Sequence, residues 1–216
     1  MRSKSSRAWM RSHVGDPYVR RARREGYRSR AAYKLLEIDA RDRLFKPGMT
    51  VIDLGAAPGG WSQVAAAKVE PHGKVIAIDL IEMEPISGVT FIQGDFEQPE
   101  AQATLRKALG GQAAGIVICD LAPNLSGIAA TDQARSMRLA EQALLFCDGG
   151  LKPGGSLLVK TFHGAGLREF TEAMRRSFLT VMTRKPSASR SRSSEIYLLG
   201  KGFRPGAYSA GAPEWV

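Results

Sequence analysis

The sequence predicts an α/β protein built on one open, mostly parallel sheet of seven strands, with helices on both faces and an antiparallel strand at one edge. Three observations predict it. Short β-branched runs alternate with amphipathic runs along the chain, most of the β-branched runs end at an acid or a lysine, and the last two are joined directly by a polar loop. Alternation of strand and helix means parallel pairing through right-handed crossovers, which covers both faces of the sheet. The direct final connection makes a hairpin and so reverses one strand.

Residues 1–27 have no regular apolar period and read as a basic arm, loose until it meets a partner. A domain over residues 28–204 and a tail over 205–216 complete the organisation. From Ser29, "SRAAYKLLEIDARDRLF" places Tyr33, Leu36, Ala40 and Leu44 at helical spacing, with Ser29 as the cap and "KPG" as the stop. "MTVIDLG" is the first strand and "GWSQVAAAKV" the helix after it. "KVIAIDL" and "VTFIQGD" are the second and third strands, and a helix follows over about Pro99 to Leu109. "AAGIVICDLAP" is the fourth strand, and Thr131 caps the long helix "TDQARSMRLAEQALLFCDGGL". "GGSLLVKTF", the helix "GLREFTEAMRRSF", "LTVMTRKP" and "SSEIYLLGKGF" complete the order. On this reading, strands and helices alternate five times and only the last two strands lack a helix between them. Their connection, "RKPSASRSRSS", reads as a mobile cationic loop suited to phosphate contacts.

Composition narrows the function. A chain of 216 residues, 44% of them hydrophobic, can bury one sizeable core. No apolar run approaches the roughly 18 to 20 residues of a membrane span, and "MRSKSSRAWMRSH" lacks the apolar stretch of a signal peptide. The expectation is a soluble, cytoplasmic protein with no membrane partner, acting as a monomer. Two cysteines, Cys119 and Cys147, both inside apolar runs, supply neither a disulfide framework nor a zinc cluster, and no metal is expected. The net charge of +10 is concentrated at the ends: residues 1–30 hold ten Lys/Arg against two Asp/Glu, and residues 183–216 hold six against two. Trp9, Tyr18 and Tyr27 are interleaved with the arginines, which favours a polyanion with stackable bases over a lipid surface.

In open α/β sheets the ligand sits beyond the carboxyl ends of the strands. Asp53 ends the first strand and is followed by the turn Gly55-Ala-Ala-Pro58-Gly59-Gly60, whose glycines let a ligand approach the main chain. The spacing is neither G-x-G-x-x-G nor G-x-x-x-x-G-K-[ST], which disfavours a dinucleotide or a nucleoside triphosphate. Asp79, ending the second strand, suits two ribose hydroxyls. Asp95, after the third, suits an adenine amino group, with Phe96 to pack on the ring. Carboxylates at Asp53 and Asp120 favour a sulfonium and repel a pyrophosphate. S-adenosyl-L-methionine meets these demands, and Trp61 is a candidate to lie against it. Asp53 also helps fix the loop. Lys160 ends the apolar run "GGSLLVK", where desolvation or a second cation fits a lysine for general-base work. Lys34 and Glu195 are further candidates for the same mouth.

"SRAAYKL", "DLGAAPGGW", "DLAPNLSG", "VKTFHG" and "RKPSASRSRSSEIYLL" resemble, in order and from about Ser29 to Gly202, the motifs of the FtsJ/RrmJ-type ribosomal RNA 2′-O-ribose methyltransferases. The glycine turn marks only the wider methyltransferase class; the Lys, Asp, Lys, Glu series is more specific. The resemblance implies a Rossmann-like class I methyltransferase fold and S-adenosylmethionine as cofactor. It places the catalytic tetrad on Lys34, Asp120, Lys160 and Glu195, with cofactor contacts at Gly59, Trp61, Asp79, Asp95 and Asp120. It further implies action on a uridine of large-subunit (23S) ribosomal RNA, with the RNA, within the large ribosomal subunit, as partner. His163 departs from the Gln usual in the bacterial branch. The same tetrad serves 2′-O-methyltransferases of transfer RNA and RNA caps, which are the alternatives within the enzyme class. A ribosome-assembly factor that keeps the shell as an RNA-binding module is the alternative outside it, and a nicotinamide oxidoreductase is disfavoured by the glycine spacing.

Overall fold

The computed structural model describes residues 16–124, 126–190 and 193–207. In chain order the elements are α1 (Pro17–Glu25), α2 (Ala31–Asp42), β1 (Thr50–Leu54), α3 (Gly60–Val69), β2 (Lys74–Asp79), β3 (Val89–Gln93) and α4 (Pro99–Ala108), then β4 (Ala114–Cys119), α5 (Ala129–Gly150), β5 (Leu151–Phe162), α6 (Leu167–Ser177), β6 (Phe178–Arg184) and β7 (Glu195–Phe203). They form one seven-stranded sheet in the order β3-β2-β1-β4-β5-β7-β6. All pairings from β3 to β5 are parallel, and β7 runs antiparallel to both β5 and β6. The hairpin predicted from the direct β6–β7 connection therefore forms one edge of the sheet. Within it the reversed strand β7 is inserted inside β6, and the outermost strand runs with the others.

Successive strand residues point to opposite faces, so each apolar strand feeds two cores. Ile52, Val117, Leu157 and Leu198 pack under α4, α5 and α6, together with Leu105, Leu144 and Phe170. Their neighbours Val51, Ile116, Leu158 and Leu199 pack under α2 and α3, with Leu35, Ile38 and Val64. Helices thus cover both faces, as the continuous apolar strands demand. Cys119 and Cys147 are buried free thiols of the first core. No helix among the described residues is long and apolar enough to cross a membrane.

Several local expectations are corrected. Residues 17–25, read as part of a loose arm, form α1: Asp16 caps it by accepting the Tyr18 N–H (2.9 Å), Pro17 opens it and left-handed Gly26 closes it. Only Val19 and Ala22 of α1 are fully buried, too sparse a stripe to show as an apolar period. Trp9 and the rest of residues 1–15 lie outside the described residues, as do residues 208–216 of the predicted tail. Ser29 does not cap α2; Arg30 holds that position without a side-chain cap, and Tyr33 and Leu44 are buried as expected, together with Ala32, Leu35 and Ile38, whereas Ala40 is exposed. Thr131 does not cap α5, which starts two residues earlier; Asp132 instead accepts the amides of Ser126 (2.7 Å) and Gly127 (3.1 Å). The β2–β3 connection, residues 80–88, carries no helix although the two strands are parallel. The loop after β6, read as mobile, is clamped over residues 185–190, with Ala188 and Ser189 buried; Ser191 and Arg192 lie outside the described residues.

Candidate functional site

The carboxyl ends of β1, β2, β3 and β4 surround a cleft of about 720 Å³, within the size range of small-molecule sites. Its walls include Gly55, Asp79, Asp95, Phe96, Asp120 and Arg135. The β1 turn reaches the cleft because Gly55 adopts φ +79° and lies so close to β4 that a Cβ there would stand 2.9 Å from the Leu121 main chain. Asp79 organises the rim: its Oδ2 accepts the Ala57 N–H (2.9 Å) and its Oδ1 the Ile81 N–H (2.9 Å). Each oxygen keeps a second lone pair for a ligand hydroxyl. Asp95 Oδ1 accepts the Glu97 N–H (3.0 Å), and Phe96, buried against Phe146 edge-on at 5.6 Å, backs the same end of the cleft.

Asp120 belongs to a second constellation. Its Oδ1 lies 3.0 Å from Lys160 Nζ, which also donates to the Asp120 carbonyl at 2.5 Å. On the other side Lys34, from α2, pairs with Glu195 at 2.7 Å. Tyr197, two residues along β7, joins the pairs: its hydroxyl lies 3.0 Å from Asp120 Oδ1, 3.3 Å from Glu195 Oε1 and 3.2 Å from Lys34 Nζ. The Lys160 and Glu195 residues are buried. Tyr197 is wholly buried, and burial, reinforced by the Asp120 and Glu195 charges, pushes its phenol well above the ordinary value. It therefore stays a hydrogen-bond donor. The antiparallel register explains the meeting: Lys160 faces Tyr197 and Phe162 faces Glu195 across the β5–β7 ladder.

The structure thus brings together Lys34, Asp120, Lys160 and Glu195, and lines one cleft with Gly55, Asp79, Asp95, Phe96 and Asp120. Four expected cofactor contacts lie elsewhere. Asp53 is completely buried under α3, where its Oδ2 accepts the Ser62 hydroxyl (2.6 Å) and its Oδ1 has no partner among the described residues. Desolvation outweighs that hydrogen bond and pushes the Asp53 carboxyl up to about 7. Trp61 is buried beneath the tetrad rather than in the cleft; it donates to the Ala31 carbonyl (2.8 Å) and packs on Tyr197 with centroids 5.6 Å apart. Pro58 and Gly59 are not among the cleft walls. At Gly59 the space a Cβ would take is held by Ile86 and Met83, at 2.6 and 2.8 Å. These residues build the turn; the cleft lies on its other side.

Sequence reasoning missed Tyr197, Ser189 and Arg30. Ser189 donates to Glu195 Oε1 at 2.9 Å. Arg30 pairs with Asp16 and donates to the Ala188 carbonyl. A phenol two residues from a candidate acid on a strand shares its face, and that spacing was the one signal available for Tyr197. Cleft residues Arg135 and Arg138 also went unremarked; Arg138 pairs with Glu97 at 2.9 Å.

Residues 27–203 match the family described as FtsJ-like methyltransferase. The chain is similar to the ribosomal RNA large subunit methyltransferase E of Nitrosospira multiformis, 61% identical over 203 residues, covering 94% of this chain and 98% of the relative. It is 57% identical over 204 residues to the protein of the same name from Neisseria meningitidis, covering 94% and 99% of the two chains. Among solved structures, a ribosomal RNA methyltransferase from Plasmodium falciparum superposes with a TM-score of 0.73 at 31% identity, over 82% of this chain and 98% of that one.

Proposed function

This chain belongs to the FtsJ-like methyltransferase family, and from that premise we propose that it uses S-adenosylmethionine to methylate the ribose 2′-hydroxyl of a uridine in large-subunit (23S) ribosomal RNA. The observation that carries the reading is Asp120, at once a wall of the cleft and the carboxylate that holds Lys160. Donor pocket and acceptor chemistry are therefore adjacent. The names of the relatives support the substrate class.

The cleft suits the donor. Asp79 offers lone pairs to ribose hydroxyls, Asp95 an acceptor for an adenine amino group, Phe96 an apolar wall, and Asp120 negative charge for a sulfonium. When bound there, S-adenosylmethionine would supply an electrophilic sulfonium methyl group for the 2′-oxygen, with a neutral thioether as the leaving group. Lys160 Nζ is the group placed to receive the hydroxyl proton as the O–C bond forms. Asp120 holds that nitrogen through its carboxylate and its carbonyl. Lys34, fixed by Glu195, steers the acceptor sugar from the opposite side. Alignment is worth up to roughly 7 to 11 kcal/mol, and the base contributes about 10² to 10⁴-fold.

In this reading residues 28–204 are the catalytic domain. Helix α1 stands in front of it and turns Arg20, Arg21, Arg23 and Arg24 to solvent, where they meet the RNA backbone. Labelled methyl transfer onto unmodified large ribosomal subunits and onto free transcript, followed by mapping of the product, tests the proposal. A 2′-O-methyluridine in 23S RNA is expected. Product confined to transfer RNA or a cap, or no product on either substrate, rejects it.

A further inference from the structure

Helix α2 holds Ser187, Ala188 and Glu195 at three successive levels. Arg30, at its start, donates to the Ala188 carbonyl; Lys34, one turn on, pairs with Glu195 at 2.7 Å; and Glu37 accepts the Ser187 N–H at 2.8 and 2.9 Å. Residues three and four apart share a helix face, so this is one continuous seam. The Arg30 guanidinium is forked. One nitrogen reaches Ala188, and the other pairs with Asp16, whose carboxylate also caps α1. The Arg30 and Asp16 side chains are only 15% and 11% exposed, so this pair is not a solvated surface contact. Ala188 itself is wholly buried against Ala22 of α1 and Tyr33 of α2. The next residue, Ser189, donates its hydroxyl to Glu195 Oε1, the same oxygen that Lys34 holds.

We propose that Arg30 and Ser189 are positioning residues for the Lys34–Glu195 pair, and that through Arg30 the docked helix α1 is a working part of the tetrad. The inference rests on the methyl-transfer reading above. Removing the Arg30 fork releases α1 and the Ala188–Ser189 step together; Glu195 then loses a fixed donor, and Lys34 loses its angle to the acceptor sugar. RNA seated on the arginines of α1 and the lysine at the sugar are in this way held by one rigid assembly.

The test compares Arg30→Ala, Arg30→Lys, Asp16→Asn and Ser189→Ala with the wild type by steady-state methyl transfer to ribosomal RNA, cofactor calorimetry and amide hydrogen exchange. Arg30→Ala is expected to lower kcat roughly tenfold or more, with cofactor Kd changed less than about threefold. It should also speed exchange in both residues 17–25 and 185–190. Arg30→Lys should not restore kcat, because one ammonium cannot span both acceptors. Arg30→Ala combined with Asp16→Asn should lose little more than Arg30→Ala alone. Ser189→Ala leaves the α1 clasp intact and should lower kcat at an unchanged melting temperature, which guards against a simple folding defect. A raised KM for RNA at unchanged kcat would make Arg30 an RNA contact and overturn the proposal. So would unaltered exchange in residues 185–190 of Arg30→Ala. An inactive wild type would defeat the methyl-transfer reading instead, and the exchange result would still decide whether the clasp exists.

Discussion

Tyr197 has one hydroxyl hydrogen and two carboxylates within reach, Asp120 at 3.0 Å and Glu195 at 3.3 Å. It can donate to only one at a time, while Lys34 at 3.2 Å supplies the hydrogen that its oxygen accepts. Such a shared donor keeps both acids oriented, and Tyr197→Phe is expected to lower methyl transfer about tenfold with cofactor affinity unchanged. Lys160→Ala should cost at least about a hundredfold in kcat, again sparing cofactor affinity by calorimetry. Asp53 gives a pH signature. Its folded carboxyl titrates near 7 against an ordinary 3.8, so between those values the folded state keeps a proton that the unfolded state releases. Stability from this group is greatest below about pH 4 and is lost as pH rises through 7. Asp53→Asn should remove a slope on the order of a few kcal/mol from a denaturant series across that window. At this scale the sequence was legible for the placement of strand-end residues: Asp79, Asp95, Asp120 and Lys160 all follow apolar runs and lie at the carboxyl end of the sheet. It was illegible for Arg30 and Ser189, whose partners are 158 and 6 residues away and are set by how the loop packs on α2. Asp53 misled because a strand-end acid can turn either towards the cleft or beneath the following helix.

At the scale of elements, α2 is fastened at both ends. Its far end holds Arg184 of β6 through two 2.6 Å bonds to Asp42, both side chains nearly buried, and Lys201 of β7 donates to the Asp42 carbonyl at 2.5 Å. The Arg184 hydrogen bonds hold the Asp42 carboxyl below its usual range. Asp42→Ala leaves the guanidinium unpaired and is expected to cost about 3 to 5 kcal/mol by chemical denaturation. The glycine turn is equally intolerant. Gly55→Ala meets both a positive φ and the Leu121 main chain at 2.9 Å, so it should distort the cleft and weaken cofactor binding by roughly tenfold or more in calorimetry. Strands were legible because short runs rich in Val, Ile and Leu, bounded by Gly, Pro and Asp, are too short for a helix. Helix starts were less so: Ser29 and Thr131 have capping chemistry, yet Ile128 holds the cap position of α5 without a side-chain cap, and Asp132 in its first turn folds back to hold the amides of the preceding loop. Helix α1 escaped notice because only Val19 and Ala22 of its residues are buried, so its signals lie at its ends, in Asp16, Pro17 and Gly26.

For the whole molecule, charge and topology act together. The arginines of α1 are expected to make RNA affinity fall with added salt, each phosphate contact contributing a slope of roughly 0.7 to 0.9 in log–log form. Replacing Arg20, Arg21, Arg23 and Arg24 with Gln should flatten that slope by about two to four while leaving the cofactor isotherm unchanged. Overall architecture was the most legible level, since alternation dictates parallel crossovers whatever the loops do; the place of β7 was not, because strand order depends on which edge is free once β5 is laid down. That reversed strand carries a consequence for the timing of synthesis. Because β7 begins where its neighbours finish, Glu195 and Tyr197 reach the working end of the sheet only after all six other strands have left the ribosome. A polypeptide interrupted after Arg184 would keep the cleft residues, Lys34, Asp120 and Lys160 yet lack Glu195 and Tyr197, leaving Lys34 without its carboxylate and the two pairs without the phenol that joins them.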